Sequence, residues 1–281
     1  MSAHIPANAK TLFEEQGYII ARGLFNQSEV DEYRAYYTEL RHHEQCRADT
    51  KFRTANAGDP LVQFPRLMQM HRWDQKTLDW LIDTRINAWL STILGREPFA
   101  VQTMFYFKPP QARGQALHQD NYYLRVQPGS CVAAWMAVDR CDEENGCLQV
   151  VPGSQNWPIL CTVSSDTTQS FTDVTVPIPP GQPVDSVIMD PGDVLFFNGS
   201  LVHGSLPNQT QDRFRRALIG HYIEGDSQAV AQWYHPILRM DGSPVTLEAS
   251  EQGGQCGVWV TERGQPVIEM SGHEMLKKKT E

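Results

Sequence analysis

Past Gly95 the chain breaks into short apolar or alternating runs, each closed by proline or glycine, and this texture excludes most folds. The runs are FAVQTMFYF (99–107), SCVAAWMAV (130–138), CLQVVPGS (147–154), VTVPIP (174–179), SVIMD (186–190), DVLFFNG (193–199) and RRALIGHYI (215–223). Between them stand Pro109-Pro110, Pro128-Gly129, Pro152-Gly153, Pro179-Pro180-Gly181 and Pro191-Gly192. Segments of this length are too short for packed helices, and proline cannot donate to a central ladder, so it marks the connections. Many short strands with turn punctuation imply antiparallel strands closed into a sandwich or barrel.

The first third reads differently. YIIARGLF (18–25) is strand-like and ends in a turn; Asn26 or Ser28 then caps a helix over residues 28–45, with acidic residues in its first turn as the helix dipole favours. That helix would carry His42 and His43 on an exposed face. Residues 46–64 are polar and read as a loop. From Gln75 to Leu94, apolar residues at helical spacing predict one helix ended by Gly95. The expectation is a mainly β chain with N-terminal helices, a jelly roll or cupin-like double-stranded β-helix. It is read as a single domain over 1–281, with a helical layer at 1–95, a jelly-roll core at 96–225 and a C-terminal extension at 226–281 that closes on a solvated KKK run.

Charge narrows the partners. Twenty-four Lys and Arg against thirty-three Asp and Glu leave a formal charge of -9, a poor match for nucleic acid or an anionic membrane. Any basic site must be local, and two or three arginines in a pocket suffice for a small anion. No run approaches the length of a membrane span, and the N-terminus has no apolar core of a secretory signal. Six cysteines at 46, 131, 141, 147, 161 and 256 show no metal-like spacing and are read as reduced. A cytoplasmic location is therefore expected; the sequence leaves the oligomeric state open.

Two motifs carry chemistry. Leu117-His118-Gln119-Asp120 places His118 and Asp120 two apart, so on an extended chain both face one side. GDVLFFNGSLVHGSLPN places His203 just after an apolar strand. Two imidazoles and one carboxylate are the facial set that leaves positions open on Fe(II) for a cosubstrate and dioxygen. The bare HxD occurs by chance in many chains, and its bland reading is a surface histidine beside a capping aspartate.

The ordered set of blocks is more specific. EEQGYIIARGLF, QTMFYFKPP with LHQDNYY, AAWMAVDRCDEENGCLQVVPGS, PGDVLFFNGSLVHGSLPNQT and RFRRALIGHYI together resemble the phytanoyl-CoA dioxygenase family of iron- and 2-oxoglutarate-dependent oxygenases, over roughly residues 10 to 225. The resemblance implies that His118, Asp120 and His203 bind iron. It implies that Arg215, with Ser205, holds the far carboxylate of 2-oxoglutarate, and that Gln102, Met104 and Trp135 line the cosubstrate. FRRA fits the family best with Arg215 in the arginine slot, though Arg213, on the same side of an extended strand, stays an alternative; Arg216 points away. Arginine suits the task because its fork makes two parallel bonds to a carboxylate. Related halogenases replace the carboxylate ligand with a small residue, so Asp120 argues for hydroxylation, with succinate and carbon dioxide released.

The substrate is expected to be a small, polar, anionic metabolite such as an organophosphonate or amino-acid-like compound. Arg66 and Arg125 would grip its anionic group, and Tyr122 with Tyr123 would face an amine. The alternatives are an acyl-CoA or natural-product hydroxylase, or a metal-binding jelly roll without catalysis. Elsewhere the bland readings are preferred. His221 and His235 are read as buried and hydrogen-bonded, Asp193 as a turn residue and Asn145-Gly146 as a tight turn. Trp157, Tyr222, Trp233, Tyr234 and Trp259 are read as packing.

Overall fold

Alternation along the strand Cys131–Ala137 shows how the molecule is layered. Val132, Ala134 and Met136 join the cluster packed with Trp80, Trp89 and Leu90 of the helices, while Ala133, Trp135 and Ala137 turn to a second cluster between two sheets. Both faces are buried, so the strand reads as one apolar run rather than as alternating polar and apolar residues.

The computed structural model describes residues 4–46, 59–251 and 254–274. In chain order the elements are α1 (Ala9–Gln16), β1 (Tyr18–Ala21), α2 (Gln27–Leu40), α3 (Pro60–Gln63), β2 (Leu67–Met68), α4 (Gln75–Leu81), α5 (Thr84–Leu94), β3 (Pro98–Tyr106), β4 (Gln115–His118), α6 (Asn121–Leu124), β5 (Cys131–Ala137), β6 (Leu148–Val150), β7 (Val163–Ser164), β8 (Val174–Thr175), β9 (Asp185–Val187), β10 (Val194–Asn198), β11 (His203–Ser205) and β12 (Ala217–Glu224). The large sheet runs β1-β10-β5-β12-β3 and is extended by Ile237–Arg239 and Pro244–Val245, with β2 also on β3. The small sheet runs β4-β11-β6-β9. Non-consecutive neighbours in both sheets give the crossed connections of a jelly roll, and the helices cover the outer face of the large sheet.

Local chemistry explains most boundaries. Asn26 caps α2 in a reciprocal box, its side chain accepting from the Glu29 N–H while the Glu29 carboxylate accepts from the Asn26 N–H. The helix stops at Leu40, so His42 and His43 follow it, and His43 stacks on Trp73. The single helix expected over Gln75–Leu94 is two. Asp83 interrupts it by capping α5, its side chain accepting from the Arg85 N–H, and Gly95 ends α5 in the left-handed conformation. In the expected 46–64 loop, residues 47–58 lie outside the described residues, and α3 begins at Pro60 behind its Asp59 cap. The KKK run also lies outside them.

The last fifty residues add an antiparallel hairpin, Gln255–Glu262 with Gln265–Glu274. The Cys161 N–H donates to the Gly257 carbonyl and the Gly257 N–H to the Ile159 carbonyl, docking the hairpin on the loop after β6. This pairing corrects the reading of the cysteines as reduced. It sets the Cα atoms of Cys161 and Cys256 4.9 Å apart, and the two form a disulfide; Cys46, Cys131, Cys141 and Cys147 are free thiols. The argument from reduced cysteines to a cytoplasmic location thus falls away. Among the described residues no helix is long and apolar enough to cross a membrane.

Candidate active site

Between the two sheets lies a cavity of about 640 Å³, and the HxD motif opens onto it. His118 closes β4 and pairs in register with His203 on β11, so the small sheet itself juxtaposes the two imidazoles, whose ring centroids lie 4.2 Å apart. Asp120 is not on the strand, as simple alternation predicts. It sits in helical conformation at the start of α6, and this turn brings its carboxylate back toward the imidazoles. His118 Nε2 is 3.4 Å from Asp120 Oδ1, and His203 Nε2 is 3.6 Å from Oδ2. Ligand atoms of all three residues lie within 4.8 Å of one another.

Hydrogen bonds fix which nitrogens are available. His118 Nδ1 is 2.9 Å from the Ala116 carbonyl and His203 Nδ1 is 3.0 Å from the Leu201 carbonyl. A carbonyl only accepts, so both Nδ1 atoms carry protons, and Nε2 of each ring faces Asp120. Burial, with His118 nearby, pulls His203 down to about 4, so it is neutral at ordinary pH. Burial works to raise the Asp120 carboxyl, but His203, His118 and His221 outweigh it and hold Asp120 well below the usual carboxylate range. Two imidazoles and an ionised carboxylate suit iron(II).

His221, read as buried and hydrogen-bonded, is both. Its Nε2 lies 3.0 Å from Asp120 Oδ2 and must donate, because the ionised carboxylate only accepts. It steadies the carboxylate rather than offering that nitrogen to a metal. Phe197 packs 4.5 Å from the His203 ring and limits its rotation.

β3, β5 and the segment before β12 contribute the residues expected to face a cosubstrate. Gln102 and Met104 project inward from β3 and Trp135 from β5. Arg215, just before β12, is 3% exposed, and its guanidinium lies 5.2 Å from the Trp135 ring centroid. Its Nε donates to the Gly146 carbonyl at 3.1 Å, and burial lowers its pKa from the ordinary value. Among the described residues no carboxylate makes an ion pair with it. Ser205 lines the same cavity. A buried guanidinium without an anionic partner, beside a hydroxyl, fits the far carboxylate of a dicarboxylate such as 2-oxoglutarate.

The two neighbouring arginines go elsewhere. Arg213 precedes the strand, so it does not share the side of Arg215 as an extended chain would require, and it pairs with Asp142 and Glu144 at the surface. Arg216 pairs with Asp139. Arg66 lines the cavity and donates to the Tyr106 hydroxyl at 2.8 Å, and Tyr122 and Tyr123 line it too. Arg125 does not. The left-handed backbone at Arg125 ends α6, and its guanidinium donates to the Glu251 carbonyl, so of the two arginines only Arg66 is among the cavity-lining residues.

Three contributions escaped the sequence reading. Trp233 and Tyr234, read as packing, line the cavity, and Trp233 is 51% exposed. Tyr222, by contrast, is buried and donates to the Leu81 carbonyl, and Trp157 and Trp259 pack edge to face. Cys256 and Val258 of the C-terminal hairpin also reach the cavity. Lys108, to which the sequence gives no role, is 3% exposed and donates to Ser205.

Comparisons with known proteins agree with this geometry. The family profile described as phytanoyl-CoA dioxygenase (PhyH) matches residues 13–217. The chain is 24% identical over 241 residues to the peroxisomal phytanoyl-CoA dioxygenase of Rattus norvegicus, covering 79% of this chain and 69% of that one. Among solved structures, the non-heme alpha ketoglutarate dependent carbocyclase SnoK of nogalamycin biosynthesis superposes with a TM-score of 0.66 at 23% identity, covering 81% of this chain and 88% of that one. EctD from S. alaskensis, solved with 2-oxoglutarate and 5-hydroxyectoine, superposes with a TM-score of 0.59 at 20% identity, covering 80% and 78%. These similarities to solved structures establish the shared fold.

Proposed function

This chain belongs to the phytanoyl-CoA dioxygenase family of iron(II)- and 2-oxoglutarate-dependent oxygenases, and on that premise we propose that it hydroxylates a C–H group of a small, polar, anionic metabolite. Iron and 2-oxoglutarate, when bound, supply with dioxygen the oxidising power, and succinate and carbon dioxide are released.

The protein's part is placement. His118, Asp120 and His203 would hold iron by three ligands and leave the rest of its coordination to small molecules. Arg215 and Ser205 would take the far carboxylate of 2-oxoglutarate, and Gln102, Met104 and Trp135 would bound it. The substrate would enter where Arg66, Tyr122, Tyr123, Trp233 and Tyr234 line the cavity, and their packing would keep its C–H group oriented and water out.

The observation that carries the substrate class is this lining: one guanidinium set among aromatic rings, with Arg66 lying 5.3 Å from the centroids of both Tyr106 and Phe171. An acyl-CoA needs an apolar channel for its chain and basic surface for its phosphates, whereas this chain carries a formal charge of -9. That EctD was solved with 5-hydroxyectoine supports a small polar substrate; the names of the phytanoyl-CoA relatives favour the acyl-CoA reading. Turnover of 2-oxoglutarate to succinate, measured with aminoalkyl phosphonates, amino acids and long acyl-CoAs, separates them. Stimulation by an anionic small molecule, with Arg66→Met raising its KM and leaving that of 2-oxoglutarate unchanged, is the expected result. Stimulation by a long acyl-CoA that is indifferent to Arg66 would overturn it.

A further inference from the structure

Lys108 is buried, and although burial and the neighbouring Arg215 push its pKa well below the ordinary value, its Nζ faces three acceptors, one for each N–H of an ammonium. Its Nζ donates to the Gly146 carbonyl at 3.0 Å, to Ser205 Oγ at 2.9 Å and to the Leu206 carbonyl. Its own carbonyl accepts the Arg215 N–H at 3.0 Å. The Gly146 carbonyl accepts from both Lys108 Nζ and Arg215 Nε. One residue is therefore bonded to Ser205, to the backbone of Arg215 and to the carbonyl on which the Arg215 guanidinium rests.

The arrangement is built rather than incidental. Lys108 holds a left-handed backbone (φ 33°), which a side chain adopts only where its surroundings enforce it. Gly146 has φ 80°, and a Cβ there would lie 2.4 Å from the Leu206 carbonyl oxygen and 2.9 Å from Lys108 Nζ, so only glycine permits this approach. Ser205 Oγ also accepts the Gln115 N–H at 3.2 Å. With both lone pairs of the hydroxyl engaged by Lys108 and Gln115, its own proton has to point away from these donors, and Ser205 lines the cavity.

We propose that Lys108 is a positioning residue for 2-oxoglutarate, aiming the Ser205 hydroxyl proton into the cavity and fixing the carbonyl that seats Arg215. The proposal rests on the reading that Arg215 and Ser205 take the far carboxylate.

The test is anaerobic calorimetric titration of iron-loaded protein with 2-oxoglutarate, with separate titration of the metal-free protein with iron(II). Lys108→Met, which keeps the volume and removes the donors, should weaken 2-oxoglutarate by ~10-fold to ~100-fold, the range for a hydrogen bond to a charged group, and leave iron affinity unchanged. Lys108→Gln, which keeps one donor, should fall between and serves if the methionine variant does not fold. If Lys108 acts through Ser205, Lys108→Met combined with Ser205→Ala should bind no more weakly than the weaker single variant, a coupling that a merely structural lysine would not show. Additive losses, or a loss of iron affinity equal to that for 2-oxoglutarate, would overturn the proposal. Should Arg215→Met and Ser205→Ala themselves leave 2-oxoglutarate affinity untouched, the underlying reading fails instead.

Discussion

Replacing Arg215 with methionine should separate binding from stability in a single variant. The guanidinium is 3% exposed and makes no ion pair with a carboxylate among the described residues. Without cosubstrate the fold must bury a cation whose partners are one backbone carbonyl and the face of Trp135. Such a group destabilises the empty protein and is retained for what it binds. Methionine fills a similar volume without the charge, and the Gly146 carbonyl still accepts from Lys108. The melting temperature of metal-free Arg215→Met should therefore equal or exceed that of the parent. With 2-oxoglutarate the sign reverses, because its far carboxylate would then be buried without a partner. Removing one member of a buried charged pair costs ~3–5 kcal/mol, or ~150-fold to ~5,000-fold in Kd. Calorimetric titration of the iron-loaded variant, alongside thermal melts of the metal-free form, measures both. A large drop in melting temperature with unchanged Kd would show that Arg215 is structural, and the assignment of the cosubstrate end of the cavity would fall with it.

Three other outcomes follow from separate parts of the structure. His221→Phe removes the donor to Asp120 and should weaken iron(II) by ~10-fold to ~100-fold in a direct metal titration; unchanged affinity would show that the carboxylate needs no support. His71 is held neutral, burial pulling it from 6.5 to about 3, so the unfolded chain takes up its proton first as the pH falls. Stability present above pH 6.5 should then decline by ~1.4 kcal/mol per pH unit toward pH 3 on this account, and urea melts of His71→Asn should show a slope shallower by about one proton, an equal slope contradicting it. The Cys161–Cys256 disulfide closes a loop with a sequence separation of 95, worth ~4–5 kcal/mol in the chain-entropy account. Non-reduced, denatured protein should titrate four thiols and melt lower after reduction; six thiols would contradict the bridge.

How far the sequence reaches depends on how local the determining physics is. The strands of the large sheet were legible because their length and their turn residues are local properties. The break between α4 and α5 was missed because apolar spacing continues through Ile82 while Asp83 starts a new cap. At the site, His118, Asp120 and His203 could be proposed from two motifs, but Asp120 reaches the imidazoles through a helical turn that strand alternation does not contain. Strand alternation leaves Arg213 as an alternative to Arg215 because the sequence does not show that β12 begins only at Ala217. Lys108, Trp233 and Tyr234 owe their roles to segments distant in the chain, and nothing within a few residues of each signals a cavity. The disulfide is of the same kind: two cysteines without a spacing pattern, joined because a hairpin docks beside β7.

The central claim is that His118, Asp120 and His203 form an iron centre that turns over 2-oxoglutarate. Its most direct measurement is the iron(II) content of purified, reconstituted protein, followed by dioxygen-dependent succinate formation from 2-oxoglutarate, in the parent and in the His203→Ala and Asp120→Ala variants. One iron per chain, with succinate that requires both iron and 2-oxoglutarate and is lost in both folded variants, is the predicted result. A folded parent that takes up no iron, or full succinate formation by either variant, would contradict it.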